Sequence, residues 1–206
     1  MLHVAAVKHL AGSANGGLQM ITIETDRLLV RNFKAEDWKD LQEYLSREEV
    51  MRFESAWDTS DEGMRMAAVE LSRGNNFWAC ELKSTGKMIG HVYLGKEQPE
   101  AFNTWMLGYI FNNDYYGNGY ATEACKAVLE YAFRLMGIHR VIAKCSPENK
   151  ASWKLLDRLG MRQEGRSLRC ASIKKTTSGE PIWWDEFLYA LLSVEWPGYD
   201  VKVSEK

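Results

Sequence analysis

The hydrophobic and polar positions of this chain follow two different periods, which together predict an alternation of strands and helices. Several apolar runs have the length of a strand. The run Thr104–Phe111 is almost continuously apolar, as expected for a central strand that is covered on both faces. The segments that we interpret as strands are residues 27–33, 77–82, 88–94, 104–111, 140–145, 162–173 and 183–193.

Apolar residues recur at helical spacing between these strands, which predicts four helices. The second helix opens with Thr59 and Glu62, a capping-box pattern in which each side chain satisfies a free backbone amide. The helices are predicted at about residues 38–45, 59–74, 121–136 and 146–160. The resulting order, β-α-α-β-β-β-α-β-α-β-β, is typical of an α/β (α+β) fold whose mixed sheet carries helices on both faces.

The termini and one polar segment differ in composition from the rest of the chain. Residues 11–17 are small and polar, so we expect residues 1–20 to form a flexible leader, residues 21–195 the folded domain and residues 196–206 a C-terminal tail. Arg166–Glu180 holds four basic residues and one acidic residue, and we interpret it as a solvated loop.

Length, charge and cysteine spacing exclude several classes of protein. The chain has 206 residues, which suits one domain, and 26 basic against 28 acidic residues give a net charge of −2. Such a balance argues against a nucleic-acid partner bound by bulk charge, and no apolar window is long enough to span a membrane. The four cysteines show no CxxC pair and no zinc-like spacing, so we predict no metal site and a reduced, cytoplasmic location.

The most informative segment is the junction between the strand that ends at Phe111 and the helix that begins near Ala121. Gly117-Asn118-Gly119 lies between them. Glycines let a ligand approach the backbone, and a helix N-terminus points free amides outward, so this junction suits a phosphate or pyrophosphate. The spacing matches neither the dinucleotide-binding nor the P-loop pattern, and a tight turn alone would also explain the glycines.

Asn149 and Ser152 form a second candidate. They are three residues apart, so they share one face at the start of the helix that follows the next strand. In an open α/β sheet this places them at the same edge as the glycine turn. Taken singly, Asn149 would be a helix cap and Ser152 a solvated residue of the first turn.

Jointly, these segments resemble the GCN5-related N-acetyltransferase (GNAT) family, and more closely its ribosomal-protein N-terminal acetyltransferase (RimJ/RimL) branch. The resemblance covers about residues 21–194 and is carried by Glu24–Arg31 (ETDRLLVR), Tyr116–Ala124 (YGNGYATEA), Asn149–Ser152 (NKAS) and Leu159–Met161 (LGM). It implies a mostly antiparallel sheet with a splayed central strand pair. It also implies transfer of an acetyl group from acetyl-CoA to a primary amine by direct attack on the thioester.

The resemblance further implies how acetyl-CoA is bound. Backbone amides of the glycine turn would hold the pyrophosphate, with Tyr116 standing where Gln or Arg is usual. The pantetheine arm would pair with the strand that ends at Phe111, where a backbone amide could stabilise the oxyanion. The cofactor-binding residues implied are Tyr109, Ile110, Phe111, Tyr116, Gly117, Asn118, Gly119, Tyr120, Ala121, Thr122, Asn149 and Ser152.

The implied catalytic residues are Ser152, Asn149 and His91. Many relatives carry a Tyr seven residues after the Asn as the acid that protonates the leaving thiolate, but this chain has Leu156 there, and Ser152 would replace it. The base is open: His91 is attractive because an imidazole accepts protons at neutral pH. The alternatives are Glu81, Asp185, Glu186, a water chain and capture of the free amine.

The acceptor is open as well. The resemblance favours a protein N-terminal α-amine. A small-molecule amine, such as a polyamine, an amino acid or an aminoglycoside, is the alternative, and a catalytically weak CoA-binding module is a third interpretation. A homodimer is possible. The aromatic residues interpreted as core first and acceptor-pocket walls second are Trp38, Phe53, Trp57, Trp105, Trp183 and Trp184.

Overall fold

A mixed sheet of nine strands is the centre of the fold in the computed structural model, which describes residues 20–205. The strands are β1 (Ile21–Glu24), β2 (Leu28–Asn32), β3 (Phe77–Leu82), β4 (Met88–Lys96), β5 (Thr104–Phe111), β6 (Arg140–Cys145), β7 (Arg162–Lys175), β8 (Pro181–Leu192) and β9 (Lys202–Glu205). The helices are α1 (Trp38–Leu45), α2 (Asp61–Ser72), α3 (Tyr120–Glu130) and α4 (Lys150–Arg158).

The strands lie in the order β7-β8-β6-β5-β4-β3-β2-β1-β9. Neighbouring strands are antiparallel except β5 and β6, which are parallel and are connected through α3. A parallel pair needs such a crossover because a short turn can join only antiparallel strands. The predicted mixed, mostly antiparallel sheet is therefore confirmed.

Helices cover both faces of the sheet, as predicted. One apolar layer contains α1 and α2, and the opposite layer contains α3 and α4. Strand β3 shows how one strand serves both layers: Phe77 and Ala79 pack in the first, whereas Trp78 and Cys80 pack in the second. This alternation follows from the two-residue period of a strand, and burial on both sides explains why β3 and β4 are apolar almost throughout.

The central parallel pair is splayed. The β5–β6 ladder covers Thr104–Met106 against residues 140–142 and ends there, although β5 continues to Phe111 in full register with β4. The last five residues of β5 and the end of β6 therefore diverge and leave a cleft between the carboxyl ends of these two central strands. The splayed pair implied by the resemblance is confirmed.

Two short strands were not predicted. β1 pairs with β2, and β9 pairs with β1 at the opposite edge of the sheet from β7. Each has only four residues, too few for a two-residue period to be recognised in the sequence. β9 lies within the segment expected to be a C-terminal tail, whereas most of the expected leader lies outside the described residues.

The structure corrects three local predictions. Of the segment Arg166–Glu180, only residues 176–180 form a loop, because β7 continues to Lys175 and forms a long hairpin with β8. The N-cap of α2 is Ser60 and not Thr59, since the Ser60 hydroxyl accepts a hydrogen bond from the amide of Gly63 at 3.1 Å. The helix predicted over residues 121–136 is α-helical only to Glu130 and continues as a π-helical turn.

Within residues 20–205, no helix is long and apolar enough to cross a membrane.

Candidate active site

The splayed ends of β5 and β6 form the walls of a cleft, and the start of α4 closes one side of it. The lining residues are Phe53, Glu54, Leu107, Gly108, Tyr109, Lys144, Cys145, Ser146, Asn149 and Ser152. Asn149 and Ser152, which the sequence placed at one sheet edge, thus lie in the same cleft. It is a space of mixed polar and apolar lining between two strands whose ladder has opened.

Asn149 fixes the first turn of α4. Its side-chain oxygen accepts a hydrogen bond from the amide of Ser152 at 3.2 Å, so Asn149 is the N-cap. Asn is a favoured N-cap because its side chain satisfies an amide that has no partner within the helix. The cap holds Ser152 at the cleft, so Asn149 has a positioning role whether or not it contacts a substrate.

Tyr109 brings a second hydroxyl to Ser152. The Tyr109 hydroxyl lies 2.9 Å from the Ser152 hydroxyl and donates to the Ser152 carbonyl oxygen at 3.1 Å. Burial raises the pKa of Tyr109 well above its ordinary value, although the hydrogen bond with Ser152 opposes this. Both hydroxyls therefore carry their protons at neutral pH. The sequence indicated Tyr109 only for backbone pairing with the pantetheine arm and missed this side-chain contact.

The glycine turn lies exposed between β5 and α3, as predicted. Gly117 and Gly119 have φ values of 79° and 80°, a left-handed conformation that residues with a Cβ rarely adopt. Gly119 is the N-cap of α3, and the helix continues through Tyr120, Ala121 and Thr122. The amides of such a first turn have no partner within the helix, so they are available to an anion.

A network around Glu123 joins this turn to the start of β2. Glu123 accepts hydrogen bonds from the Thr25 hydroxyl at 2.6 Å and from Nε of Arg27 at 2.7 Å. Arg27 also donates to the carbonyl oxygen of Asn118 at 2.9 Å and lies over the ring of Tyr120. Burial disfavours the charged form of Glu123, but these hydrogen bonds outweigh it and lower its pKa. No pattern in the sequence predicted this network, although the segment Glu24–Arg31 contains two of its members, Thr25 and Arg27.

The other residues implied in cofactor binding fall into two groups. Tyr116 is exposed at the beginning of the turn, with 54% of its side chain accessible. Ile110 and Phe111 have buried side chains that belong to opposite apolar layers, so only their backbone is available to a ligand.

His91 is not placed to act as the base, and that prediction is wrong. Its ring lies in the apolar layer of α1 and α2, against Phe33 and Phe77, with Nδ1 2.6 Å from the hydroxyl of Tyr44. Burial lowers the pKa of His91 to about 3. A fully buried imidazole on the α1 side of β4 does not line the cleft, so it has no path to the acceptor.

The alternative carboxylates are engaged elsewhere. Glu81 accepts a hydrogen bond from Nε of Arg31 at 2.7 Å. Asp185 on β8 accepts from the amide of Arg169 and pairs with the Arg166 guanidinium, and both contacts lower its pKa. Glu186 lies 3.4 Å from the thiol of Cys170 on the exposed hairpin. None of the three lines the cleft itself, although Asp185 lines the wider groove beside it.

A wider groove of about 370 Å³ adjoins the cleft. Phe53 and Ser146 line both spaces, and Trp183 and Trp184 of β8 are among the further lining residues of the groove. Three of the aromatic residues considered in the sequence are therefore walls of these spaces, whereas Trp38 packs in the core.

Glu54 in the cleft was missed, because an isolated carboxylate between two predicted helices carries no sequence signal.

Comparison with known proteins adds a family to this geometry. The sequence model of the protein family described as acetyltransferase (GNAT) domain matches residues 27–162 of this chain. The uncharacterized N-acetyltransferase YnaD of Bacillus subtilis (strain 168) is 38% identical over 176 residues, covering 84% of this chain and 98% of its own length. The [ribosomal protein uS5]-alanine N-acetyltransferase of Escherichia coli (strain K12) is 30% identical over 189 residues, which cover 86% of this chain and 94% of that protein.

Solved structures agree with the sequence relatives. The crystal structure of a GNAT-family acetyltransferase from Bacillus anthracis superposes with a TM-score of 0.75 at 34% identity, covering 84% of this chain and 99% of that one. The chain therefore belongs to the GNAT family, and it is an N-acetyltransferase.

Proposed function

We propose that this enzyme acetylates the α-amine at the N-terminus of a protein, with acetyl-CoA as donor, by direct attack of the amine on the thioester. The observation that carries the proposal is the cleft between the splayed strands, where the Ser152–Tyr109 hydroxyl pair lies on the same edge as the glycine turn. The relative that acts on an alanine of ribosomal protein uS5 supports the choice of acceptor.

The glycine turn fits the pyrophosphate of acetyl-CoA. A Cβ built on Gly117 would meet nothing within 4 Å, so the backbone there is open to a ligand. The backbone amides in the first turn of α3 come immediately after Gly119 in the chain. The guanidinium of Arg27 contacts Asn118 of the same turn, and 47% of the Arg27 side chain is exposed. Amides, a helix N-terminus and one guanidinium suit a diphosphate without requiring a large basic patch.

The cleft fits the reacting end of the donor. Beyond Met106 the edge of β5 that faces β6 is outside the ladder, and an extended arm can pair there as an added strand. Acetyl-CoA supplies an activated acetyl group as its thioester. The hydroxyl pair would give a proton to the departing thiolate, and a backbone amide of β5 would stabilise the oxyanion.

The acceptor identity is tested by a transfer assay. The protein is incubated with acetyl-CoA and with peptides that start with Ala or Ser, and released thiol and peptide mass are measured. We expect acetylation of the free α-amine and no reaction with the same peptides blocked at the N-terminus. Transfer only to polyamines, amino acids or aminoglycosides would replace the peptide acceptor by a small molecule. Cytoplasmic location and a homodimer stay predictions.

A further inference from the structure

Glu54 is a carboxylate in the cleft for which the family resemblance offered no role. It follows the short 3₁₀ segment Val50–Phe53, has an extended backbone, and lines the cleft together with Tyr109 and Ser152. Of the described residues that line the cleft, it is the one carboxylate. A carboxylate that lines the same cleft as the hydroxyl pair can take part in proton transfer there.

Contacts from the β7–β8 hairpin hold the segment that carries Glu54. Nζ of Lys174 on β7 donates to the carbonyl oxygens of Met51 at 3.1 Å and Arg52 at 2.8 Å. The ring of Phe53 meets Trp184 of β8 edge-on, with centroids 6.0 Å apart. The backbone on the N-terminal side of Glu54 is thus fixed to a different part of the sheet, which orders a short segment that would otherwise be mobile.

Glu54 lies at the boundary between the cleft and the groove. Its neighbour Phe53 lines both spaces, and the groove is bounded further out by Arg52 and Trp183. An acceptor whose body lies in the groove would therefore bring its amine past Phe53 into the cleft that Glu54 and Ser152 both line. The amine of such an acceptor is cationic in water at neutral pH, because the pKa of an α-amine is about 8.

The surroundings of Glu54 favour proton acceptance. Burial raises the pKa of Glu54 above its ordinary value, and the positive charge of Lys174 opposes the rise. A carboxylate with a raised pKa is a stronger base than one in water. Among residues 20–205, the titratable or charged groups around it include Tyr109 on β5, Lys144 and Cys145 on β6, Lys174 on β7, Arg52 on its own segment and Tyr116 of the glycine turn.

We propose that Glu54 binds the ammonium of the acceptor and is the base that deprotonates it, an inference that rests on the proposed acetyl transfer to an amine. Glu54 takes one proton from the ammonium, and the neutral nitrogen attacks the thioester carbonyl carbon. The N–C bond forms and the C–S bond breaks. The remaining surplus proton on nitrogen ends on the thiol, and the proton on Glu54 passes to solvent, so amide, free thiol and one released proton balance the reaction.

Glu54→Gln tests this, because it removes the charge and keeps the shape. Glu48→Gln is the matched control, since Glu48 is exposed six positions earlier and outside the cleft. At about neutral pH we expect Glu54→Gln to lower kcat/KM for the acceptor roughly 100-fold. The control should equal the wild type, and the dissociation constant for CoA should be unchanged in both variants.

The pH dependence separates a base from a purely structural residue. Raising the pH past about 8 converts the α-amine to its neutral form, which no longer needs a base. The deficit of Glu54→Gln should therefore shrink several-fold between about pH 6.5 and about pH 9, whereas a packing defect would persist. Glu54→Asp, which keeps a carboxylate, should retain the wild-type pH profile at a lower rate. If Glu54→Gln does not fold, the pH profile of Glu54→Asp is the test of the role of Glu54.

The outcomes distinguish this inference from the proposed function. An active wild type whose Glu54→Gln variant has equal kcat/KM, or a deficit that does not change with pH, overturns the role of Glu54 alone. A wild type that binds CoA and acetylates only small amines overturns the peptide acceptor and leaves Glu54 to be tested on those amines. A wild type that transfers to no amine overturns both.

Discussion

The phenol hydroxyl of Tyr109 lies 2.9 Å from the hydroxyl of Ser152, so a strand residue and a helix residue share one hydrogen-bonded pair at the cleft. The position seven residues after Asn149, where many relatives carry a Tyr, is Leu156, and its side chain is fully buried. In this protein a phenol therefore reaches the cleft from β5 and not from α4. This relationship gives the enzyme two coupled hydroxyls at the place where one residue was expected.

Removing either hydroxyl should slow transfer without abolishing it. We expect Ser152→Ala and Tyr109→Phe each to lower kcat about 10-fold or more, because a thiol of pKa near 8.5 leaves with help from an acid but does not require one. Since the two groups act as a pair, the double variant should be little slower than the slower single variant. Unchanged kcat in Ser152→Ala, measured by thiol release at saturating substrates, would remove Ser152 from proton transfer.

Gly119→Ala should weaken donor binding as well as stability. Its φ of 80° costs a residue with a Cβ roughly 1–2 kcal/mol, and relief of this strain would move the amides of the turn. Gly86→Ala is the matched control, because Gly86 has φ 71° and no atom near its Cβ position, and its β3–β4 turn does not line the cleft.

Both variants should lower Tm by a few degrees. Only Gly119→Ala should also raise the KM for acetyl-CoA, as measured by initial rates at varied donor. An equal KM in the two variants would show that the geometry of the turn does not contribute to binding.

Arg27→Met should raise the KM for acetyl-CoA and leave kcat nearly unchanged. The variant loses the hydrogen bond to Asn118 and leaves the buried Glu123 without its guanidinium. Loss of one such contact to the turn is worth about 1 kcal/mol, which is roughly a five-fold change in binding. Arg73→Met is the control, because Arg73 is an exposed partner of Glu70 on the surface of α2. A fall in kcat with constant KM would contradict a role in the donor site.

His91→Asn should change the pH dependence of stability and not that of activity. Because the folded-state pKa is lowered to about 3 from 6.5, the unfolded chain binds a proton that the folded protein excludes. Protonation of His91 therefore does not affect the free energy of unfolding above about pH 6.5. As the pH falls from there toward about 3, the free energy of unfolding decreases, with a limiting slope of about 1.4 kcal/mol per pH unit.

Denaturant unfolding between about pH 6 and about pH 4 measures this slope. The wild type should lose stability more steeply than His91→Asn, whatever the absolute stability of the variant. The acid limb of kcat/KM should be the same in both proteins, and a shifted limb would return His91 to the catalytic candidates.

The pattern of the sequence determined the parts of this protein that depend on local period and local backbone chemistry. β5 was predicted with its observed bounds. An apolar run of eight residues, preceded by a strand hairpin and followed by a glycine turn, is typical of a buried strand. The first part of α3, the Asn149 cap of α4 and the left-handed glycines are encoded within a few residues, and they indicated the donor site that we propose, although α4 begins at Lys150 and not near residue 146 as predicted. The expected fold class followed from the order of these elements.

Only the tertiary structure decided which side chains meet at the cleft. A strand's alternation predicts two faces but not what covers each, so His91 was equally compatible with the cleft and with the core until α1 was placed against β4. Tyr109 meets Ser152 because the β5–β6 ladder ends at Met106, and Glu54 lines the cleft because Lys174, more than a hundred residues later in the chain, holds its segment. These are long-range contacts whose geometry and desolvation arise only when distant segments pack together, and they set the protonation and the positions of the groups that act.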